Sequence, residues 1–318
     1  MGKIVTIAVN ALTETVRQPV FIIILGAGAL MIALSPSFTM FTMLNNVKLL
    51  KDMGLATILL TGLLQAAFSA GNVISREIEN KTILTVLTKP VSKAQFIIGK
   101  FTGIAVALTA STFLLTIILI MTIRVGVPEA AYTRLHRPVI YGEIFAFAAG
   151  VLLAALSNYF HDRPFCSACF GYSIISFTIM FVLLGFIDKE LNFQKFCADV
   201  DVQMVTAGYL VLIALLSIAA VAVALSTRFG IVLTVGFCAC IFLLGLLSDH
   251  MFGRFDNVFA KVAYVLVPNM QVFWVADAVV AGETIPAKYV VSATGYGFFY
   301  QMAALLISVV LFEGREIT

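Results

Sequence analysis

The sequence predicts an all-α integral membrane protein: a single domain over residues 1–318, folded as a polytopic bundle of about eight transmembrane helices. The composition is 61% hydrophobic and only 12% charged, whereas a soluble domain is about 45–50% apolar and about 25% charged. The apolar residues form about eight segments of about 20 residues, the length that a helix needs to cross about 30 Å of hydrocarbon. These segments are continuous, whereas the strands of a membrane β-barrel alternate between apolar and polar residues.

Residues 1–18 are predicted to form an interfacial helix that lies at the membrane surface. With a helical period, the residues divide into an apolar face and a polar face. One alternative is a signal peptide, which Glu14 and the polar residues before it disfavour. The other alternative is an acylated N-terminus at Gly2. The apolar face consists of Ile4, Ile7, Ala8, Ala11, Leu12 and Val16, and the polar face of Lys3, Thr6, Asn10, Thr13, Glu14 and Arg17.

The first two predicted spans cover residues 19–34 and 54–74. Gln65 and Asn72 fall inside the second span. Such amides either face a transport pathway or bond a neighbouring helix, and we favour the second interpretation because interhelical hydrogen bonds are the common role of amides in membranes.

Residues 75–100 form a polar island between the second and third spans. The island contains five basic residues and the acidic Glu77 and Glu79, so it is too polar to lie in lipid. Its apolar residues recur at a spacing of three and four up to Pro90, which predicts an amphipathic helix that Pro90 ends. Ser92 followed by Gln95 is a capping-box pattern and predicts the start of the next helix. From the residues alone, the island is either a docking surface or a solvated connector.

The run R-E-I-E-N-K-T-I-L-T-V-L-T-K-P-V-S-K-A-Q-F-I-I-G-K-F resembles the cytoplasmic loop of ABC-2 type permeases, the membrane subunits of a class of ATP-binding cassette transporters. In that family, an acidic segment, a T-I-x-T-L-L-x-K-P-V-S-R run and a G-K pair form the loop that docks on the ATPase subunit. The residues of this chain on that pattern are Glu77, Glu79, Lys81, Thr82, Thr85, Lys89, Pro90, Ser92, Gly99 and Lys100.

The remaining predicted spans depart from the six-span plan of that family by one hairpin. The fourth and fifth spans look like an addition to a six-span core. They are joined by a tight turn that consists of Asn158, His161, Asp162, Arg163 and Pro164. Residues 249–289 are predicted to form short helices at the membrane surface, with Tyr264 and Trp274 as interface anchors. The resemblance implies that these helices are re-entrant and lie on the extracytoplasmic side. The spans are predicted at residues 101–123, 139–159, 165–187, 205–225, 229–247 and 290–312.

Eight spans place both termini and the island on the same side. Lysine and arginine divide evenly between the two sides, so the positive-inside rule does not settle the orientation. The resemblance implies that the island and both termini are cytoplasmic and that the membrane is the cytoplasmic (inner) membrane of a prokaryote.

Few residues suggest chemistry of their own. No G-x-x-x-x-G-K-[ST] phosphate-binding motif occurs, since Gly99-Lys100 is followed by Phe101. Cys166 and Cys169 form a C-x-x-C pair near His161, but no second pair completes a zinc site, and we expect no metal. Ionisable residues are expected to be nearly absent from the spans, with Glu143 near the start of one, which argues against proton-coupled transport and intramembrane catalysis.

The resemblance therefore implies a permease subunit that is not itself an enzyme and binds no cofactor. ATP-Mg would be bound and hydrolysed by a separate ATPase subunit, and the permease would pair with a second copy or a related permease and with membrane lipid; no nucleic acid is expected. The alternatives are a secondary transporter without an ATPase and a membrane scaffold that recruits a soluble partner. The resemblance assigns ATPase coupling to Glu77, Glu79, Lys81, Thr82, Leu84, Leu87, Lys89 and Pro90.

Overall fold

The protein is an all-α, polytopic membrane protein. Within the part of the chain that the structure describes, seven helices are long and apolar enough to cross a bilayer. The structure, a computed structural model, describes residues 2–39, 46–79, 92–126, 135–196, 200–251 and 267–313.

The helices follow the predicted apolar segments, and two irregular turns interrupt them. A π-helical turn, Gly71–Ser75, joins α3 to α4, and a 3-10 turn, Met270–Phe273, precedes α11. The helices are α1 (Gly2–Arg17), α2 (Pro19–Thr39), α3 (Asn46–Ala70), α4 (Arg76–Glu79), α5 (Lys93–Val125), α6 (Arg137–His161), α7 (Phe165–Leu184), α8 (Val202–Ser226), α9 (Ile231–Leu246), α10 (Ser248–Met251), α11 (Ala276–Ala281) and α12 (Ala287–Glu313).

Three helices form the centre of the bundle. Of the 18 most apolar consecutive residues in each helix, 67% are buried in α3, 67% in α5 and 72% in α8. The corresponding share is only 22–28% in α2, α6, α7 and α12. Glycines allow the central helices to approach closely: a Cβ on Gly54 would overlap Leu119 of α5, and one on Gly62 would overlap Leu215 of α8. The outer helices expose large apolar side chains, such as Ile144 of α6 and Phe299 of α12.

One end of the bundle, here called the loop end, gathers the boundaries of the polar island. The Ser75 hydroxyl lies 3.1 Å from the carbonyl oxygen of Ser226 and 2.8 Å from that of Phe229. Lys93 Nζ donates to the carbonyl oxygen of Glu313 over 3.2 Å. The end of α3, the start of α5, the α8–α9 turn and the end of α12 therefore lie together.

The other end, here called the opposite end, is held by polar contacts between distant segments. Lys51 Nζ lies 2.6 Å from Asp201 Oδ2, joining the start of α3 to the start of α8. Gln203 Oε1 accepts a hydrogen bond of 3.1 Å from the backbone N–H of Ile285, which precedes α12. These contacts place the starts of α3, α8 and α12 at the same level.

The short helix α9 also runs between the two ends. It begins after Phe229, which contacts Ser75 at the loop end, and the carbonyl oxygen of Leu246 accepts from Gln271 Nε2 over 2.6 Å near the opposite end. The predicted span 229–247 is longer than the observed helix, which has 16 residues and a length of about 24 Å. It is shorter because the chain turns at Leu247 and the hydroxyl of Ser248 bonds the carbonyl oxygen of Gly245 over 3.0 Å.

The predicted segment before the last span is described in part. Trp274 follows the 3-10 turn and packs partly against the core. Asn269 caps that turn by accepting from Gln271 N over 3.0 Å, and it donates to Asp249 Oδ1 over 2.8 Å. Residues 252–266, which include the predicted anchor Tyr264, lie outside the described residues. Their re-entrant or extracytoplasmic position stays a prediction.

The predicted N-terminal helix is confirmed as a helix, and it packs against α5. A Cβ added to Gly103 would lie 2.5 Å from the carbonyl oxygen of Ala8 and 2.6 Å from Ala11 Cβ. Gly99 similarly faces Ile7. The G-x-x-x-G spacing of Gly99 and Gly103 thus lets the α1 backbone approach α5, the use of small residues that is common between membrane helices.

We predict that Gly103→Ala separates α1 from α5 and lowers the free energy of unfolding by about 1–3 kcal/mol, because the added methyl group overpacks the contact. Denaturant-induced unfolding of the detergent-solubilised chain measures this loss. Gly171→Ala is the matched control, since a Cβ at this helical position in α7 meets no atom within 4 Å. Equal stability of the two variants would contradict the close approach of α1.

Candidate functional site

The structure describes the two ends of the polar island, residues 75–79 and 92–100. Arg76–Glu79 forms the helical turn α4, and the backbone is described again from Ser92 onwards. The predicted amphipathic helix before Pro90 stays a prediction, as does its role in ATPase coupling. The predicted coupling residues that lie outside the described residues are Lys81, Thr82, Leu84, Leu87, Lys89 and Pro90, and only the backbone of Glu79 is described.

The predicted capping box at Ser92 is confirmed. Ser92 Oγ accepts from Gln95 N over 3.2 Å, and Gln95 Oε1 accepts from Ser92 N over 3.2 Å. These reciprocal bonds satisfy two backbone donors that the first turn of a helix leaves without partners. The second half of the island therefore begins α5 at a fixed residue.

Lys100 is the buried cation at the base of the island. Its side chain is 2% exposed, and Nζ lies 2.7 Å from Glu77 Oε1 and 3.2 Å from Glu14 Oε2. The ammonium group also lies 5.7 Å from the centroid of the Phe96 ring. We call Lys100, Glu77 and Glu14 the loop-base cluster. It joins α5, α4 and α1, and it ties the two ends of the island to each other.

The electrostatics of the loop-base cluster follow from its burial. A lysine that is removed from water requires a close counter-charge, because an isolated ion in a medium of low polarity is costly. Burial raises the pKa of Glu14 above its ordinary value, and the nearby Lys100 opposes this rise without cancelling it. Glu14 therefore holds its proton more tightly in the folded protein than in the unfolded chain.

The sequence assigned Glu14 to the polar face of α1, and its contact with Lys100 corrects this. Glu14 is three residues from Ala11 and seven from Ile7, the spacing that repeats along one face of a helix. That spacing is the signal in the sequence for a position on the packed face, whereas the charge of Glu14 by itself indicates a position in water.

A π-helical turn leads into the island. All five of its residues, from Gly71 to Ser75, are buried, and a Cβ on Gly71 would lie 3.1 Å from the backbone Cα of Ile231. Isolated π turns inside α-helices occur frequently at functional sites. Here the turn directs Ser75 to the α8–α9 connection and Glu77 to Lys100.

The two amides of the second span have structural partners. Gln65 Nε2 donates to the carbonyl oxygen of Phe21 in α2 over 3.3 Å, and Gln65 Oε1 accepts from Ser111 Oγ in α5 over 2.6 Å. Asn72 Nδ2 donates to Phe68 O of its own helix over 3.0 Å. The interpretation that Gln65 bonds neighbouring helices is confirmed, whereas Asn72 bonds within its own helix.

The expectation that ionisable residues are nearly absent from the spans is wrong at the ends of α5. This helix is longer than the predicted span 101–123 and includes Lys100 and Arg124, which is 6% exposed. Arg124 donates to the carbonyl oxygens of Leu184 over 3.1 Å and Ile187 over 3.2 Å. Residues 101–123 contain no charged side chain. Within α5, the buried charged side chains therefore lie only at the two ends of the helix.

Other reactive side chains are dispersed. Glu143 accepts from Thr122 Oγ1 over 3.1 Å. Cys166 and Cys169 are free thiols at the start of α7. Across residues 2–39, 46–79, 92–126, 135–196, 200–251 and 267–313, no three His, Cys, Asp or Glu side chains cluster as a metal site would require.

Comparison with known proteins finds no protein-family model that matches the chain and no matching sequence among the curated proteins.

We predict that Lys100→Met lowers the free energy of unfolding by about 3 kcal/mol, because it leaves two neighbouring carboxylates without their shared cation. Lys288→Met is the control at an exposed lysine in the first turn of α12 and should cost less than about 1 kcal/mol, as for an exposed charge. Adding Glu77→Gln to Lys100→Met should recover part of the loss, because it removes one of the two charges. An unchanged stability of Lys100→Met would contradict a structural role for the cluster.

The raised pKa of Glu14 leads us to predict how the free energy of unfolding changes with pH. Because the folded state raises the pKa of Glu14, this group contributes most favourably below its ordinary pKa of 4.5, and the contribution is lost as the pH rises through the raised value. The stability of the native chain relative to Glu14→Gln should therefore fall as the pH increases upward from 4.5. Unfolding measured over a pH series tests this, and a difference that stays constant with pH would refute it.

Proposed function

We propose that this chain is the membrane permease subunit of an ATP-binding cassette transporter of ABC-2 type. Its substrate would cross the membrane, in the direction of export, when a separate ATPase subunit binds and hydrolyses ATP-Mg. The chain itself would not be an enzyme and would bind no cofactor. The proposal rests on the resemblance of residues 76–101 to the permease loop and on the way the base of this loop is built.

The loop-base cluster is the observation that carries the proposal. Lys100 joins both ends of the island, so a force applied to the residues between them would act on α4 and α5 together. Ser75 adds a contact to the α8–α9 turn. The loop is thus connected to α3, α5 and α8, the three helices at the centre of the bundle, which is the connection that a coupling loop requires.

The resemblance assigns the contact with the ATPase to the middle of the island. On a helix, Leu84 and Leu87 would form one apolar ridge, which could enter a groove of the ATPase in the way amphipathic helices bind grooves. Glu77 would serve mainly at the base of the loop, because it bonds Lys100. Glu79, Lys81, Thr82, Lys89 and Pro90 would surround or end the ridge.

The finer topology is also part of the proposal. Eight crossings follow if α9 spans the membrane with the seven longer helices, and α6–α7 would be the hairpin added to a six-span core. Both termini and the island would be cytoplasmic in the inner membrane of a prokaryote, with α1 at the membrane surface. The permease would act as a dimer with a second copy or a related permease. The uncharged middle of α5 favours an amphipathic, lipid-like substrate.

Purification of the tagged chain in mild detergent, with identification of the proteins that accompany it, tests the proposal. We predict that a subunit with a phosphate-binding loop accompanies the native chain and is lost from the double variant Leu84→Asp/Leu87→Asp, because two carboxylates would have to enter an apolar groove. Glu283→Lys is the control, since it changes a charge in the exposed turn before α12.

The variants must first elute from a sizing column as folded protein. Recovery of the folded native chain without a nucleotide-binding subunit would contradict the proposal and favour a secondary transporter. Retention of the ATPase by the double variant would instead contradict the assigned contact. If the ATPase binds but reconstituted vesicles move none of the tested amphipathic substrates, the scaffold alternative is favoured.

A further inference from the structure

The connection that follows α7 carries large apolar side chains away from the protein. Leu191 is 72% exposed and Phe193 is 92% exposed. They belong to residues 185–196, here called the aromatic loop, at the opposite end of the bundle. Large exposed apolar side chains that lie close together indicate a surface that contacts a protein or a membrane.

The aromatic loop has a defined structure. The backbone N–H of Asp188 donates to Asn192 O over 3.0 Å, and that of Gln194 donates to Phe186 O over 2.9 Å. Ile187 and Phe193 form an isolated antiparallel bridge. Leu191 has a φ of 63°, which is uncommon for a bulky residue and is a conformation that the surrounding contacts must hold. Phe193 is therefore held outward by the backbone.

The core of the protein supports the base of this loop. Arg124, buried at the end of α5, donates to the carbonyl oxygen of Ile187 over 3.2 Å. On the other side, the ring of Phe196 packs against Phe186, with centroids 5.0 Å apart. A Cβ on Gly185 would lie 2.6 Å from the Phe196 ring, so the small residue at this position permits the contact.

The apolar surface of the loop continues the lipid-facing side of α7. Val182, Leu183 and Phe186 are exposed in the last turn and just beyond it. The exposed charged residues Lys189, Glu190 and Lys195 accompany Leu191 and Phe193 in the loop. Aromatic rings together with charged side chains, next to the end of a membrane helix, are typical of the boundary between headgroups and acyl chains.

We propose that the aromatic loop inserts Leu191 and Phe193 into the headgroup–acyl boundary of the leaflet at the opposite end. The loop would fix the depth of the α6–α7 hairpin in the bilayer, while Arg124 fixes the hairpin to the central helix α5. Its partner is the lipid surface itself. The inference is independent of any ATPase and so does not rest on the proposed function.

The chain contains one tryptophan, Trp274, which makes a specific fluorescence test possible. Phe193→Trp in a Trp274→Phe background places the only tryptophan at the tip of the loop. The full-length variant is reconstituted in phosphatidylcholine vesicles whose acyl chains carry bromine either close to the headgroup or close to the middle of the bilayer. Asn192→Trp in the same background is the matched control one residue away, where the side chain leaves the backbone in a different direction.

We predict that Phe193→Trp emits at shorter wavelength than Asn192→Trp, is protected from aqueous iodide and is quenched most by bromine close to the headgroup. Equal quenching of both variants by iodide, with no effect of brominated lipid, would overturn the proposal in favour of a loop in water. Protection from iodide without quenching by brominated lipid would also overturn it and would indicate a protein surface, such as a second copy. If Trp274→Phe lowers the yield of folded protein, Phe193→Trp is made in the chain that retains Trp274. The quenching of the native chain is then subtracted from that of the variant.

Discussion

The contact between Lys100 and two carboxylates is the interaction on which the loop end of this protein depends. A lysine side chain that is only 2% exposed requires close counter-charges, and these come from Glu14 in α1 and Glu77 in α4. The close packing of α1 on Gly99 and Gly103 brings Glu14 within reach. The close packing of α1 on α5 and the charge pairing at Lys100 therefore occur at the same contact and support each other.

The bundle connects this cluster to its centre through short paths. Glu77 lies two residues after the π turn of α3, Lys100 is in the first third of α5, and Ser75 reaches the turn that follows α8. The outer helix α12 also contacts the island, because Lys93 Nζ donates to the carbonyl oxygen of Glu313 over 3.2 Å and the Phe96 ring stacks on Phe312. A displacement of the island would therefore act on the central helices and on α12 together, which supports the coupling role that we propose for the island.

Most of the helices could be predicted from the sequence, because apolar runs of this length have few other structures available in a membrane. The start of α5 was predicted correctly from Ser92 and Gln95, since a capping box depends only on local residues. The length of α5 could not be predicted in the same way, because Lys100 and Arg124 are stabilised inside the helix by partners that are distant in sequence. Glu14 was misplaced for the same reason. A hydropathy pattern shows that a residue is charged but gives no indication of the group that neutralises it.

The π turn explains how an otherwise regular helix places Ser75 next to the α8–α9 turn and Glu77 next to Lys100. An additional residue in one turn rotates everything that follows by about 100° around the helix axis. Without that rotation, Ser75 and Glu77 would face other directions, and the carbonyl oxygens of the α8–α9 turn and the ammonium group of Lys100 would lose their contacts. Gly71 makes the turn compatible with the nearby backbone of Ile231. The irregular geometry at Gly71–Ser75 is thus the local condition for the charge pairing at Lys100, and hence for a loop whose two ends are held together.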